Sequence, residues 1–167
     1  MKKICYILIT LIVSVTSINS QTVFSSQNAS ATAILVVPLS ITATQGDLDF
    51  GEIFISETST VQKISPIDGK LFVVSGHPNR NVTFTFGSVT MDNIVWVATA
   101  AGDVDNLKFI PNIELASGTR VRSGDSHTLQ FSKGIGIIDV WVGGKIKISS
   151  TQKSGDYTGR FTLNVSY

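Results

Sequence analysis

Residues 157–167 alternate without interruption. Tyr157, Gly159, Phe161, Leu163, Val165 and Tyr167 fall on one parity, and Thr158, Arg160, Thr162, Asn164 and Ser166 fall on the other. A period of two predicts a β-strand with one apolar face. Fully burying Phe161, Leu163, Val165 and Tyr167 is worth roughly 1.5–3 kcal/mol each, so the strand is expected to belong to a core. The sequence closes at Tyr167, and no later segment is expected to pair with the strand's second flank. What shields that flank is the functional question the pattern raises.

A second alternating stretch covers residues 29–44. Ala31, Ala33, Leu35, Val37, Leu39 and Ile41 share one parity, with Ser30, Thr32, Ser40 and Thr42 opposite. Pro38 cannot donate a ladder hydrogen bond, so the strand is expected to be an edge there or to break there. Further strands are predicted at residues 61–64, 71–75, 82–86, 94–98, 107–110, 127–132 and 136–149, from β-branched runs bounded by Gly, Asn, Asp and Ser clusters. In the last of these, Ile138, Val140, Val142, Ile146 and Ile148 share a parity, and Gly143-Gly144 predicts a bulge or bend. No stretch longer than a turn carries helical periodicity. The expected fold is all-β, an immunoglobulin-like antiparallel β-sandwich. A closed barrel is the competing architecture, and an unpaired last strand favours the open sandwich.

The N-terminus changes the domain plan. Lys2 and Lys3 precede an apolar run from Ile4 to Val15 and then a small, mostly polar stretch. That order predicts a secretory signal peptide over residues 1–20, with cleavage after Ser20 or after Ser17. The run is shorter than the ~20 residues of a membrane span. Residues 21–34 are then an N-terminal arm and a candidate donor strand, and residues 35–167 are the sandwich. The single cysteine, Cys5, leaves with the signal, so the mature chain has neither disulfide nor thiol chemistry. Such a chain is expected to be secreted, through a periplasm to the exterior or the cell surface. Net charge is +1, and without Lys2 and Lys3 acid slightly outweighs base. No basic stripe exists, so nucleic-acid binding has no electrostatic basis.

Little in the chain points to catalysis. Acidic residues are scattered through turns rather than paired for glycoside hydrolysis. No nucleophile elbow accompanies the serines, and no helix follows Gly134-Ile135-Gly136 to hold a phosphate. His77 and His127 have no partner at metal spacing and are expected to be solvated. Asp103 and Asp105 beside Asn106 are a faint calcium pattern, left open. Trp96 and Trp141 lie inside predicted strands and are expected in the core, although an exposed one could stack on a sugar. No catalytic residue, metal or cofactor is expected.

Val37-Pro38-Leu39-Ser40-Ile41 leads to Leu48-Asp49-Phe50-Gly51-Glu52-Ile53. Then come residues 73–79, Val142-Gly143-Gly144-Lys145-Ile146, and the run from Gly155 to Tyr167. Together these resemble the bacterial secreted family called domain of unknown function 4402, which has no established activity. The two ends also look like subunits of chaperone–usher pili and the spore-coat-protein-U group. Phe50 and Gly51 match their Phe-Gly step, and Gly155, Tyr157 and Tyr167 match their last strand. That resemblance implies a sandwich short of one strand, filled by a neighbour's N-terminal extension. This chain departs from many of those subunits in lacking a cysteine pair.

The expected assembly interface is therefore Ala29, Ala31, Ala33 and Leu35 on the arm with Phe161, Leu163, Val165 and Tyr167 on the last strand. The arm pairs either within its own chain or with another copy. The expected function is a non-enzymatic structural subunit of a bacterial surface fibre or layer, assembled by strand exchange. Expected partners are further copies or a secretion chaperone, with Tyr167 the chaperone's handle. The alternative is a self-contained secreted module that contacts sugar or protein through its loops.

Overall fold

The computed structural model describes residues 26–44 and 46–167. The expected signal peptide, residues 1–20, and the first part of the arm, residues 21–25, lie outside the described residues. The chain divides into two units, Met1–Ile34 and Leu35–Tyr167. In the first, residues 26–34 form neither helix nor strand, so the strand predicted from residue 29 is not formed there.

The second unit is an all-β sandwich of antiparallel sheets. Its elements are β1 (Ser40–Ala43), β2 (Thr60–Ile64), a 3-10 turn (Pro66–Asp68), β3 (Lys70–Gly76), β4 (Asn81–Thr85), β5 (Val89–Asp92), α1 (Ile94–Ala100), β6 (Asn106–Leu115), β7 (Arg120–Val121), β8 (Ser126–Thr128), β9 (Gln130–Ser132), β10 (Ile135–Ile148) and β11 (Asn164–Ser166). The larger sheet runs β1-β3-β10-β6-β5, with β2 and β9 also on β10 and β7 on β6; the smaller runs β11-β4-β8. Both sheets have open ends among the described residues, so the closed barrel is not the architecture.

β10 is the spine. On one flank it pairs with β3 through Gly136↔Gly76 to Val142↔Lys70, and then with β2 through Gly144↔Ile64 to Ile148↔Thr60. On the other it pairs with β9 and then β6. Its predicted parity holds: Ile138, Val140, Val142, Ile146 and Ile148 are all buried. Gly143-Gly144 makes no bulge against β6: the strand is continuous from Ile135 to Ile148 and its register runs unbroken through Gly143↔Asn112 and Gly144↔Pro111. The glycines serve close approach instead. A Cβ on Gly143 would run into the Ile64 carbonyl oxygen, where the 3-10 turn crosses between β2 and β3. A Cβ on Gly144 would strike the Phe109 ring.

The sheets meet over one cluster that includes Val74, Val82, Phe84, Ile113, Leu129 and Val140. A second, around Leu107, Phe109, Ile146 and Ile148, lies on the larger sheet and is covered by Leu48, Phe50, Ile53, Tyr157 and Phe161. The strand predicted at 127–132 divides at fully buried Leu129. β8 pairs with β4 in the smaller sheet and β9 with β10 in the larger, so the chain changes sheets there.

Two predicted strands are corrected. Residues 94–98 lie in the helix α1, which begins after Asn93. Asp92 Oδ1 accepts from Ile94 N, and Val97 N donates to the Asn93 carbonyl; these local bonds override the β-propensity of Ile94, Val95 and Val97. At the end of the chain only Asn164–Ser166 forms a strand. Its partner β4 stops at Thr85, opposite Asn164, so residues 159–163 have no ladder. Their alternation survives in burial: Phe161, Leu163 and Val165 point inward and Arg160, Thr162 and Asn164 outward.

Candidate functional site

β11 borders the smaller sheet and pairs only with β4 among the described residues. Leu163 is buried, Phe161 and Val165 are half-buried, and both of these pack on the core from the side. Phe161 meets Phe86 and Phe109 at ring separations of 6.4 and 6.1 Å. Phe161, Leu163 and Val165 therefore serve the interior of their own domain. What β11 presents outward is a main-chain edge. Leu35 is 85 % exposed; Ala29, Ala31 and Ala33 belong to the other unit, on residues without strand structure.

Tyr167 is anchored at its hydroxyl. It accepts from His77 N at 2.7 Å and donates to the Val37 carbonyl at 2.8 Å. The site is cleared by Gly76, where a Cβ would crowd that hydroxyl. Val37 N in turn donates to His77 Nδ1 at 3.4 Å, and the Arg80 guanidinium lies 5.4 Å from the Tyr167 ring centre. Tyr167 thus ties the residue that follows β11 to the start of the domain. His127 also differs from expectation: its ring packs 5.9 Å from that of Phe84, and Nε2 is buried without a hydrogen-bond partner.

A second feature flanks α1. A cleft of about 550 Å³ runs between residues 48–55 and 152–157, over a floor that includes Ile146, Ile148 and Leu107. Trp96 lines it. Neither tryptophan is in the buried core: Trp96 and Trp141 are both half-buried, one on α1 and the other on the outward parity of β10.

The wall of the cleft is tied together by Asn93 and Asp105. Asn93 is fully buried; its Oδ1 accepts from Asp105 N at 2.8 Å and its Nδ2 donates to the Asp103 and Ser154 carbonyls. The Asp105 carboxylate accepts from Asn106 N, Gln152 Nε2 and Lys153 N at 2.7–3.0 Å. The Lys153 N–H, and then that of Asn106, hold its carboxyl below the usual 3.8. Asp103 is likewise lowered by its bond to the Lys153 ammonium, 2.8 Å away. Both carboxylates of the faint calcium pattern are engaged by donors of the chain itself. Among the described residues no three His, Cys, Asp or Glu side chains gather as a metal site, and no helix is long and apolar enough to cross a membrane. The sequence singled out Trp96 but not Asn93, whose role depends on two separate loops, one of them 61 residues away.

The fold and the edge define a β-sandwich domain in which β11 pairs only with β4 among the described residues. The chain belongs to the family described as domain of unknown function (DUF4402), whose profile matches residues 39–167. No curated protein matches it.

Proposed function

We propose that the protein is a non-enzymatic structural subunit of a bacterial surface fibre or layer, exported by its N-terminal signal and assembled by strand exchange. The observation that carries the reading is that, among the described residues, β11 pairs on one side alone in a three-stranded sheet. An added strand would gain main-chain hydrogen bonds along that edge and set alternate side chains against the half-buried flanks of Phe161 and Val165. Residues 29–35, with Ala29, Ala31, Ala33 and Leu35 on one parity, supply such a strand from another copy. Small side chains suit a narrow seam, and residues 26–34 form no strand of their own. The resemblance to chaperone–usher subunits supports the same reading, as does the apolar pattern of the first fifteen residues.

Light scattering on the mature chain, with and without residues 21–34, tests it. Concentration-dependent oligomers are expected from the longer form and monomers from the shorter, with a synthetic 29–35 peptide binding the shorter form. Identical monomers from both forms would exclude strand donation. A secretion chaperone that captures the same edge is the second expected partner; Val165→Ser would then reduce export more than Thr162→Ser.

A further inference from the structure

The cleft beside α1 plays no part in strand exchange, and a free domain or an assembled subunit would carry it equally. We propose that it binds a neutral or amino saccharide, with Trp96 as the stacking platform.

Its volume, about 550 Å³, lies within the range of small-molecule sites. Trp96 is seated there by design of its surroundings. A Cβ on Gly102 would lie 3.0 Å from the indole and one on Gly155 2.9 Å from it, so two glycines let the ring rest close against backbone. Gly155 also holds φ +142, which L side chains rarely adopt. Buried Asn93, which like Trp96 packs against Gly155, ties together α1, the 103–105 loop and Ser154. A platform fixed in this way loses little freedom when a ligand arrives.

The rim decides the class of ligand. Asp49, Glu52 and Asp156 line the cleft, and the Lys153 ammonium is already paired with Asp103. The rim therefore has an excess of anionic acceptors. Sugar hydroxyls donate to carboxylates in charge-assisted bonds, roughly twice as strong as neutral ones. The C–H face of a pyranose is apolar and complements the rings of Trp96 and Tyr157. An acyl chain would desolvate the same carboxylates without giving them a donor. A uronic acid would bring like charge against them.

Trp96 and Trp141 are the chain's two tryptophans, so Trp141→Phe in the full chain leaves Trp96 as sole reporter. Titration with cellobiose, chitosan disaccharide, digalacturonate and decanoate is the experiment. A saturable change in Trp96 emission is expected with cellobiose or the amino disaccharide, and none with digalacturonate or decanoate. By calorimetry, Trp96→Ala should weaken that binding at least about tenfold. Glu52→Gln with Asp156→Asn, both on the rim and outside the core, should weaken it severalfold. Three results would overturn the proposal: no saturable response to either sugar, affinity unchanged by Trp96→Ala and by the rim pair, or preference for digalacturonate or decanoate. If Trp96→Ala does not fold, the rim pair decides alone.

Discussion

Asp105 and its neighbours show how much a single side chain organises here. The folded state holds the carboxyls of Asp103 and Asp105 below the ordinary 3.8, so it takes up those protons less readily than the unfolded chain. Their contribution is complete above about pH 4 and is lost as pH falls through the lowered folded values. Lys153 and Tyr157 work in the opposite sense. The Asp103 carboxylate raises Lys153 from 10.5, and burial raises Tyr157 from 10.0; their contribution holds below about pH 10 and is lost as pH rises through the raised values. Asp105→Asn should cost roughly 1 kcal/mol at neutral pH, because an amide cannot accept all three N–H groups. It should also flatten the acid limb of stability, as read from urea midpoints between pH 2 and 5. A limb as steep as that of the parent chain would refute this assignment. Gly143 gives a second residue-scale test. Gly143→Ala drives a methyl into the Ile64 carbonyl and should cost ~1–3 kcal/mol, whereas Gly87→Ala, with nothing within 4 Å, should change the midpoint little.

At the scale of elements, the sequence was most legible where both neighbours of a strand are present. β10 has partners on both flanks over most of its length, and its alternation translates directly into burial. Legibility failed where pairing ends. Arg160 to Leu163 keep the inside–outside pattern of a strand, but the ladder partner ends at Thr85; periodicity records which face is buried and not whether a neighbour exists. It failed again at α1, where Ile94, Val95 and Val97 carry strand propensity yet the helix is set by Asp92, by Asn93 and by Asn93's bonds to the 103–105 loop and to Ser154, 61 residues on. β5 and the two-residue β7 are too short to show any period. Of the candidate site, Trp96 was visible as a residue type but not its seating, because Asn93 acts through Asp103, Asp105 and Ser154. Asn93→Ala should cost about 2–4 kcal/mol, since it strands a buried N–H and two carbonyls. Hydrogen exchange at the Asp105 amide should rise with it. Unchanged protection there would show that the loops hold without Asn93.

For the molecule as a whole, the two sheets depend on one another through the chain's passage between them. Leu129 is fully buried where β8 hands over to β9, its side chain fitted between Gly76 and Gly136. Its main chain bonds Arg80 and Asn79. Leu129→Ala should destabilise the domain by about 2–5 kcal/mol and, by loosening the joint, lower the m-value if one sheet melts first. A single, steep transition at a reduced midpoint would show instead that the sandwich unfolds as one.

The Tyr167 hydroxyl has a mechanical consequence. Its two bonds, to His77 N and to the Val37 carbonyl, clasp the entry of the domain to its far end. A load pulling residue 35 away from residue 167 would fall first on that clasp and on the short β1–β3 and β11–β4 ladders, and only later on the β10 spine. Tyr167→Phe should therefore lower the force of the first yielding event in single-molecule pulling from these two positions, while the force that breaks the spine stays the same.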